Sequence, residues 1–164
     1  ANHAKVSLAK DEDFTCLKLE ITKFYTDKDG DLKINSALHI GGSDEFPGGG
    51  FTASPNTTYK YSFDIKGTAT RTWVTAWEWT GKDFWASRLK LEIKNIKPSS
   101  PVQIKNEWQH CEGTFKTGDK ALRAGICVNM WGSEKDKSIP EKPGDFVLIK
   151  NIKIEEQQSA VERK

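Results

Sequence analysis

Three tryptophans lie close together in one short run, Trp73-Val74-Thr75-Ala76-Trp77-Glu78-Trp79. Successive side chains of a β-strand point to opposite faces of the sheet, so in a strand the three indoles would share one face with Thr75. An indole is a large, flat, apolar ring system with a single polar N–H group. The run is therefore the first candidate for a surface that binds a ring-shaped ligand.

A second segment divides between two faces in the same way. In residues 121–131, a continuous apolar set alternates with a set that contains Arg123, Asn129 and Trp131. If the two strands share a sheet, their polar planar groups and indoles form one groove. Such a groove suits a sugar, because indoles stack on the C–H faces of a pyranose ring while planar polar groups bind its hydroxyls. The candidate sugar-binding residues, with Trp85 added from the next segment, are Trp73, Trp77, Trp79, Trp85, Arg123, Asn129 and Trp131.

The alternative for each of these tryptophans is a place in the core, since large aromatic side chains are normally buried. Against this, Val74 and Ala76 need a buried side of their own. With 36% hydrophobic residues, the chain has few aliphatic side chains with which to cover both faces of a strand. Both interpretations stay open for any single tryptophan.

Period-two alternation recurs along the chain, and no segment shows a helical period. The strictest alternation lies in residues 59–66. About nine or ten such runs, at a spacing of roughly 8 to 12 residues and separated by turn-forming residues, predict an all-β fold, an antiparallel β-sandwich of the jelly-roll type. We expect residues 1–13 to be an extended lead-in, 14–155 the sandwich domain, and 156–164 a polar tail or linker remnant.

The balance of charge excludes some classes of partner. With 25 basic and 23 acidic residues the net charge is +2, which gives no electrostatic reason to expect nucleic acid or an anionic membrane as a ligand. A run of about 18 apolar residues, as a membrane-spanning helix requires, is missing from the sequence. The three cysteines have no metal-ligand spacing and can form at most one disulfide. We expect a monomer.

Two loops have compositions that occur in ligand-binding loops. Asp27-Lys28-Asp29-Gly30-Asp31 could be a tight turn, because the Asp-Gly step supplies a positive φ, or an oxygen-rich calcium loop, although it fails the EF-hand pattern. Residues 41–50 are rich in glycine but lack the Lys and Ser/Thr of a phosphate-binding loop. We interpret the second loop as a rim near the ligand.

Three segments resemble, in order and spacing, the jelly-roll carbohydrate-binding modules of the family four, sixteen and twenty-two group: residues 57–67, 107–115 and 146–154. The resemblance implies a noncatalytic, secreted or cell-surface module that is covalently attached to a glycoside hydrolase. Such modules hold a β-glucan, xylan or mannan chain in a cleft on the concave sheet. Trp131 lies where they often place a stacking aromatic.

The chain departs from that group at two places. The last strand of these modules commonly carries an Asp pair that helps to hold a structural Ca²⁺, whereas the matching positions are Lys150 and Asn151. The first strand often supplies a tryptophan, and residues 1–13 contain none. No cofactor is expected to be required for binding, and the resemblance leaves only the structural Ca²⁺ as a question.

Two other functions compete with sugar binding. A glycosidase on this fold needs two carboxylates at the scissile bond, for which Glu78 and Glu112 are candidates by type, although Glu78 has the parity of the core face. A lyase needs a base and a charge-neutralising partner, and His110 with Arg123 could supply them. A cell-surface adhesion domain could instead use the indoles to contact another protein.

Overall fold

The computed structural model describes residues 4–40, 50–69, 71–81, 87–89, 91–93, 102–133 and 142–158. These ranges contain thirteen β-strands: β1 (Ala4–Asp11), β2 (Phe14–Ile21), β3 (Tyr25–Thr26), β4 (Leu32–Ile40), β5 (Phe51–Thr52), β6 (Thr58–Gly67), β7 (Arg71–Trp79), β8 (Ser87–Leu89), β9 (Leu91–Ile93), β10 (Val102–Gln103), β11 (Gln109–Lys116), β12 (Arg123–Ser133) and β13 (Phe146–Glu156). Among the described residues there is no helix with the length and apolar character needed to cross a membrane.

The strands form two antiparallel sheets. The first sheet has the order β1-β2-β13-β6-β11-β9, and the second has the order β10-β7-β12-β4-β3, with β5 also paired to β12 and β8 to β7. Strands that are distant in sequence are neighbours in both sheets, as in a jelly roll. The predicted all-β fold, an antiparallel sandwich of the jelly-roll type, is confirmed.

The core lies between the sheets and follows the alternation in the sequence. In β6, Tyr59, Tyr61, Phe63 and Ile65 are buried, and the residues between them are not. From the second sheet, every other residue of β12 faces them, in an apolar set formed by Ala124, Ile126, Val128 and Met130. Because these side chains fill the space between the sheets, the outer face of each sheet is not part of this core.

The sheet begins earlier than the sequence pattern suggested. Ala4–Asp11, expected to be an extended lead-in, pairs with β2 along its whole length, from Ala4 opposite Ile21 to Asp11 opposite Phe14. Val6 and Leu8 are 51% and 71% exposed, so this edge strand extends beyond the cover of the second sheet. At the other end, pairing continues through Glu156, which lies opposite Tyr59.

Candidate functional site

Strands β7 and β12 are neighbours in the second sheet, so the two segments that the sequence pattern singled out do lie side by side. Trp73 pairs with Asn129, and Trp79 with Arg123. Directly opposed residues of an antiparallel pair point to the same face. We call this outer surface the tryptophan face and define it by Trp73, Thr75, Trp77, Trp79, Arg123, Gly125, Cys127 and Asn129.

Exposure varies across the tryptophan face. Trp73, Trp79 and Asn129 are each partly exposed, as is Arg123. Trp77, between the two other indoles on β7, is only 7% exposed. The accessible indoles therefore lie on either side of a buried one.

Two glycines adjoin the indole of Trp77. Its partner across β12 is Gly125, which has no side chain to hold the indole away from the sheet. The far edge of the ring reaches Gly50, since a Cβ atom on Gly50 would lie 2.4 Å from Trp77 Cη2. Gly50 directly precedes β5, which lies on the opposite side of β12 from β7. The indole thus spans the full width of β12.

Trp79 lies at the end of β7, where the strand gives way to a turn. Its backbone carbonyl accepts a hydrogen bond of 2.9 Å from the Leu122 N–H. A Cβ atom on Gly81 would lie 3.9 Å from Trp79 Cη2 and 3.1 Å from Leu122 Cδ1. Because Leu122 is 50% exposed, an aliphatic side chain borders the partly exposed indole at this end of the sheet.

Asn129 supplies the planar polar group on β12. Its Nδ2 donates to Cys127 Sγ at 3.7 Å, which fixes one side of the amide to the strand. The Cys127 thiol is 6% exposed, so the amide, and not the sulfur, is the accessible part of this pair. Opposite Asn129 is Trp73, and the two place an amide and an indole side by side.

Two of the predicted residues cannot be placed in full. Trp85 lies outside the described residues. The backbone of Trp131 continues β12 and pairs with Asn35 of β4, but its side chain is outside the description. Both remain predictions.

The carboxylate of Glu78 is turned away from the tryptophan face. Glu78 is 8% exposed, on the core side as its parity predicted. Its Oε2 accepts a hydrogen bond of 2.7 Å from the Gly118 N–H. This carboxylate therefore ties the turn between β11 and β12 to the end of β7.

His110 and Glu112, two further catalytic candidates, lie on the first sheet. His110 Nδ1 is 2.8 Å from Asp64 Oδ1, and its Nε2 is 3.4 Å from Glu112 Oε2. The hydrogen bond to Asp64 is the main cause that raises the pKa of His110. Burial acts to raise the pKa of Asp64, but its hydrogen bonds with His110 and Asn151 outweigh this and lower it. Arg123 belongs to the other sheet, so the lyase pair is not brought together.

In the loop at Asp27, both carboxylate oxygens of Asp27 have partners. Asp27 Oδ1 accepts from the backbone N–H groups of Asp29 at 2.9 Å and Asp31 at 3.0 Å. Its Oδ2 is 2.6 Å from Lys33 Nζ. The hydrogen bond with Lys33, followed by those from the backbone, lowers the pKa of Asp27 to about 2.

One of the two positions that the resemblance associates with Ca²⁺ carries a positive charge. Lys150 Nζ lies 3.9 Å from the ring centroid of Phe14 and 4.0 Å from that of Trp108. Asn151 Nδ2 donates to Asp64 Oδ2 at 2.8 Å. An ammonium cannot ligate a metal ion, whereas the amide oxygen of an asparagine can. Over the described ranges, no group of three or more His, Cys, Asp or Glu residues is arranged to hold one.

Comparisons with known proteins address the fold. No family model matches the sequence, and no curated protein does. Among solved structures, the CBM22-1 xylan-binding domain of Paenibacillus barcinonensis Xyn10C is similar, with a TM-score of 0.50 and 12% identity over 98% of this chain and 85% of that one.

Two larger structures are similar over a part of their length. One is the Clostridium thermocellum xylanase 10B CBM22-1-GH10 structure with xylohexaose, with a TM-score of 0.53 and 13% identity over 98% of this chain and 26% of that one. The other is the enzymatically active domain of bacteriophage CBA120 tailspike protein 4, with a TM-score of 0.53 and 16% identity over 96% of this chain and 18% of that one. This chain thus spans about a quarter or less of each.

These likenesses show a shared architecture. The chain has the jelly-roll fold of carbohydrate-binding modules, as the resemblance in the sequence implied. At 12% to 16% identity the likeness concerns the backbone, so the particular ligand has to be argued from the side chains of the tryptophan face.

One feature of the site was missed by the sequence analysis, namely the contact of Trp77 with Gly50. A signal for it existed, because Gly125 falls in the outward set of residues 121–131, and a strand glycine often marks close approach by another group. The pairing of β12 with both β7 and β5 was needed to show which group approaches.

Proposed function

We propose that this chain is a noncatalytic module that binds a polysaccharide of the β-glucan, xylan or mannan type on the tryptophan face. The observation that carries the proposal is the register of β7 with β12, which aligns the partly exposed Trp73 and Trp79 with Asn129 and Arg123 on one outer face. A jelly roll leaves such a face unpacked because its core lies between the sheets.

The chemistry of this face matches a sugar polymer better than most other ligands. Trp73 and Trp79 offer indoles for the C–H faces of sugar rings, and Asn129 and Thr75 offer groups that can donate to and accept from hydroxyls. Repeated indoles suit a ligand with repeated rings. We include Trp85 and Trp131 among the proposed sugar contacts on the strength of the sequence pattern.

The charged groups of the chain support binding without catalysis. Glu78 is held in the core by Gly118, and His110 with its two carboxylate partners lies on the opposite sheet. Within β7 and β12, Glu78 is the only residue with a carboxylate. The proposed role is to target an attached glycoside hydrolase to its substrate, outside the cell or on its surface.

The proposal is tested by affinity electrophoresis and isothermal titration against a panel of β-glucans, xylans and mannans, with chromatography of the same mixtures for released sugars. We expect binding to at least one polymer without product. Release of shorter sugars would instead indicate a jelly-roll lyase or glycosidase. Binding to none of the panel would favour an adhesion domain that contacts protein.

A further inference from the structure

Trp77 is built into the sheet surface rather than presented on it. At 7% exposure both faces of its indole are covered, because a free ring face would expose far more of the side chain. Its far edge lies against Gly50, where a Cβ atom would come within 2.4 Å of Cη2 and 2.9 Å of Cζ2. A sugar ring needs an accessible indole face to stack upon, and Trp77 has none to offer.

Arg123 contacts the same glycine. Its Nη2 donates a hydrogen bond of 2.7 Å to the Gly50 carbonyl oxygen. Gly50 has a φ of +93°, a conformation that favours glycine, and a Cβ atom there would also lie 2.8 Å from the Ala124 carbonyl oxygen. Two side chains of the tryptophan face thus converge on one backbone position where only glycine fits.

Gly50 lies close to the surface on which the ligand is proposed to bind. Gly50 precedes β5, whose Phe51 and Thr52 pair with Ala124 and Arg123. β4 ends at Ile40, opposite Ile126 on the same edge of β12. β4 and β5 thus lie along the same edge of β12, and Gly50 lies next to the centre of the tryptophan face.

We infer that Trp77 and Arg123 are positioning residues for sugar binding, which act by fixing the backbone at Gly50, and that the sugar contacts on β7 are made by Trp73 and Trp79. This inference rests on the proposed function. It separates the tryptophan face into a fixed centre, formed by Trp77, Gly125 and Gly50, and two accessible indoles on either side of it. In this arrangement Gly50 affects sugar binding through the position of its backbone, although it has no side chain.

A fluorine NMR experiment on the intact chain tests the inference. All six tryptophans are replaced by 5-fluorotryptophan, signals are assigned with single Trp→Phe variants, and a soluble gadolinium chelate reports which indoles are accessible. Without sugar, we expect the Trp77 signal to be protected from the chelate and those of Trp73 and Trp79 to be broadened. With a bound oligosaccharide from the panel, Trp73 and Trp79 should become protected and Trp77 should not change.

The outcomes separate this inference from the proposed function. A Trp77 signal that is broadened by the chelate and becomes protected by sugar would overturn the inference and leave the proposed function standing. If no tryptophan signal responds to any sugar of the panel, the proposed function fails, and the inference fails with it. Protection of Trp77 before sugar is added, with responses to sugar at Trp73 and Trp79 and none at Trp77, supports both.

A pair of glycine variants gives a second test. Gly50→Ala should weaken oligosaccharide binding by about tenfold, because the new Cβ displaces Trp77. Gly144→Ala is the matched control, since Gly144 has a similar φ of +98° but nothing within 4 Å of a Cβ atom there. Thermal unfolding of both variants measures the cost of the strained φ. Equal affinities in the two variants, at equal stability, would contradict the inference.

Discussion

Trp79 and Trp108 are both partly exposed tryptophans, but they lie on opposite sheets. We expect Trp79→Ala to weaken polysaccharide binding by about tenfold, because an aromatic stack contributes about 1 kcal/mol beyond the area it buries. Its effect on thermal unfolding should be small. Isothermal titration and a melting curve measure the two effects.

Trp108→Ala is the matched control for that experiment. Trp108 Nε1 donates to Asp11 Oδ2 at 3.0 Å, and its ring lies beside the Lys150 ammonium. This variant should lower the melting temperature and leave the affinity for polysaccharide unchanged. A folded Trp108→Ala protein that no longer binds would place the site on the first sheet.

Among the described side chains, His110 is one whose charge should respond to mild changes of pH. Its pKa is raised above 6.5 by the hydrogen bond with Asp64. The stabilisation from this pair is therefore fully present below pH 6.5 and is lost as the pH rises through the folded-state pKa.

An NMR titration of the His110 ring in the native protein and in Asp64→Asn checks this assignment. The variant should show a lower His110 pKa and less change of stability with pH over the same range. Sugar affinity should be the same in both proteins, because the pair lies on the opposite sheet. An unchanged His110 pKa in Asp64→Asn would contradict the assignment.

At the scale of elements, the turn between β3 and β4 depends on one carboxylate. With a folded-state pKa of about 2, Asp27 stabilises the native state above its ordinary pKa of 3.8, and this contribution is lost as the pH falls through about 2. Asp27→Asn retains an oxygen that can accept the backbone hydrogen bonds but lacks the ion pair with Lys33. It should be less stable than the native protein at neutral pH.

Urea unfolding over a series of pH values tests the role of Asp27. The difference in stability between the native protein and Asp27→Asn should narrow as the pH falls below 3.8 and vanish below about 2. A difference that persists in strong acid would show that the variant disturbs the turn itself and not its charge.

The division of β7 and β12 into a core set and an outward set could be predicted from the sequence, because the side-chain period of a strand is two in any fold. The pairing of these strands could not, since it joins residues far apart in the chain. Trp77 illustrates what the strand pairing adds to the sequence pattern. Its parity placed it on the outward face, and its contact with Gly50 follows only from the pairing of β12 with both β7 and β5.

Strand β1 was missed for a different reason. Ala4, Val6 and Leu8 do alternate with polar residues, but the turn that follows contains none of the usual Asn-Gly or Asp-Gly signals. The structure closes this hairpin with Glu12 at a φ of 53°. A non-glycine residue in that conformation is uncommon, and the sequence pattern does not predict it.

At the scale of the whole molecule, the outer face of the first sheet is tied together by charge and aromatic rings. Asp11 accepts from Trp108 Nε1 and from Lys66 Nζ, and Lys150 lies between Phe14 and Trp108. These contacts connect β1, β2, β13 and β6 to the residue before β11. The ammonium of Lys150 supplies the positive charge at the centre of this group.

This arrangement leads to a prediction about metal. Because the Lys150 ammonium would repel a cation at this position, we expect neither addition of Ca²⁺ nor removal of metal with a chelator to change the melting temperature by more than the error of the measurement. Differential scanning calorimetry checks this. A chelator that lowers the melting temperature would point to a metal site elsewhere in the chain.

Ala4 at the start of β1 and Glu156 at the end of β13 both belong to the first sheet. The tryptophan face is on the second. Protein attached to a bead or sensor surface by either end is therefore attached through the sheet that does not carry the tryptophans of β7.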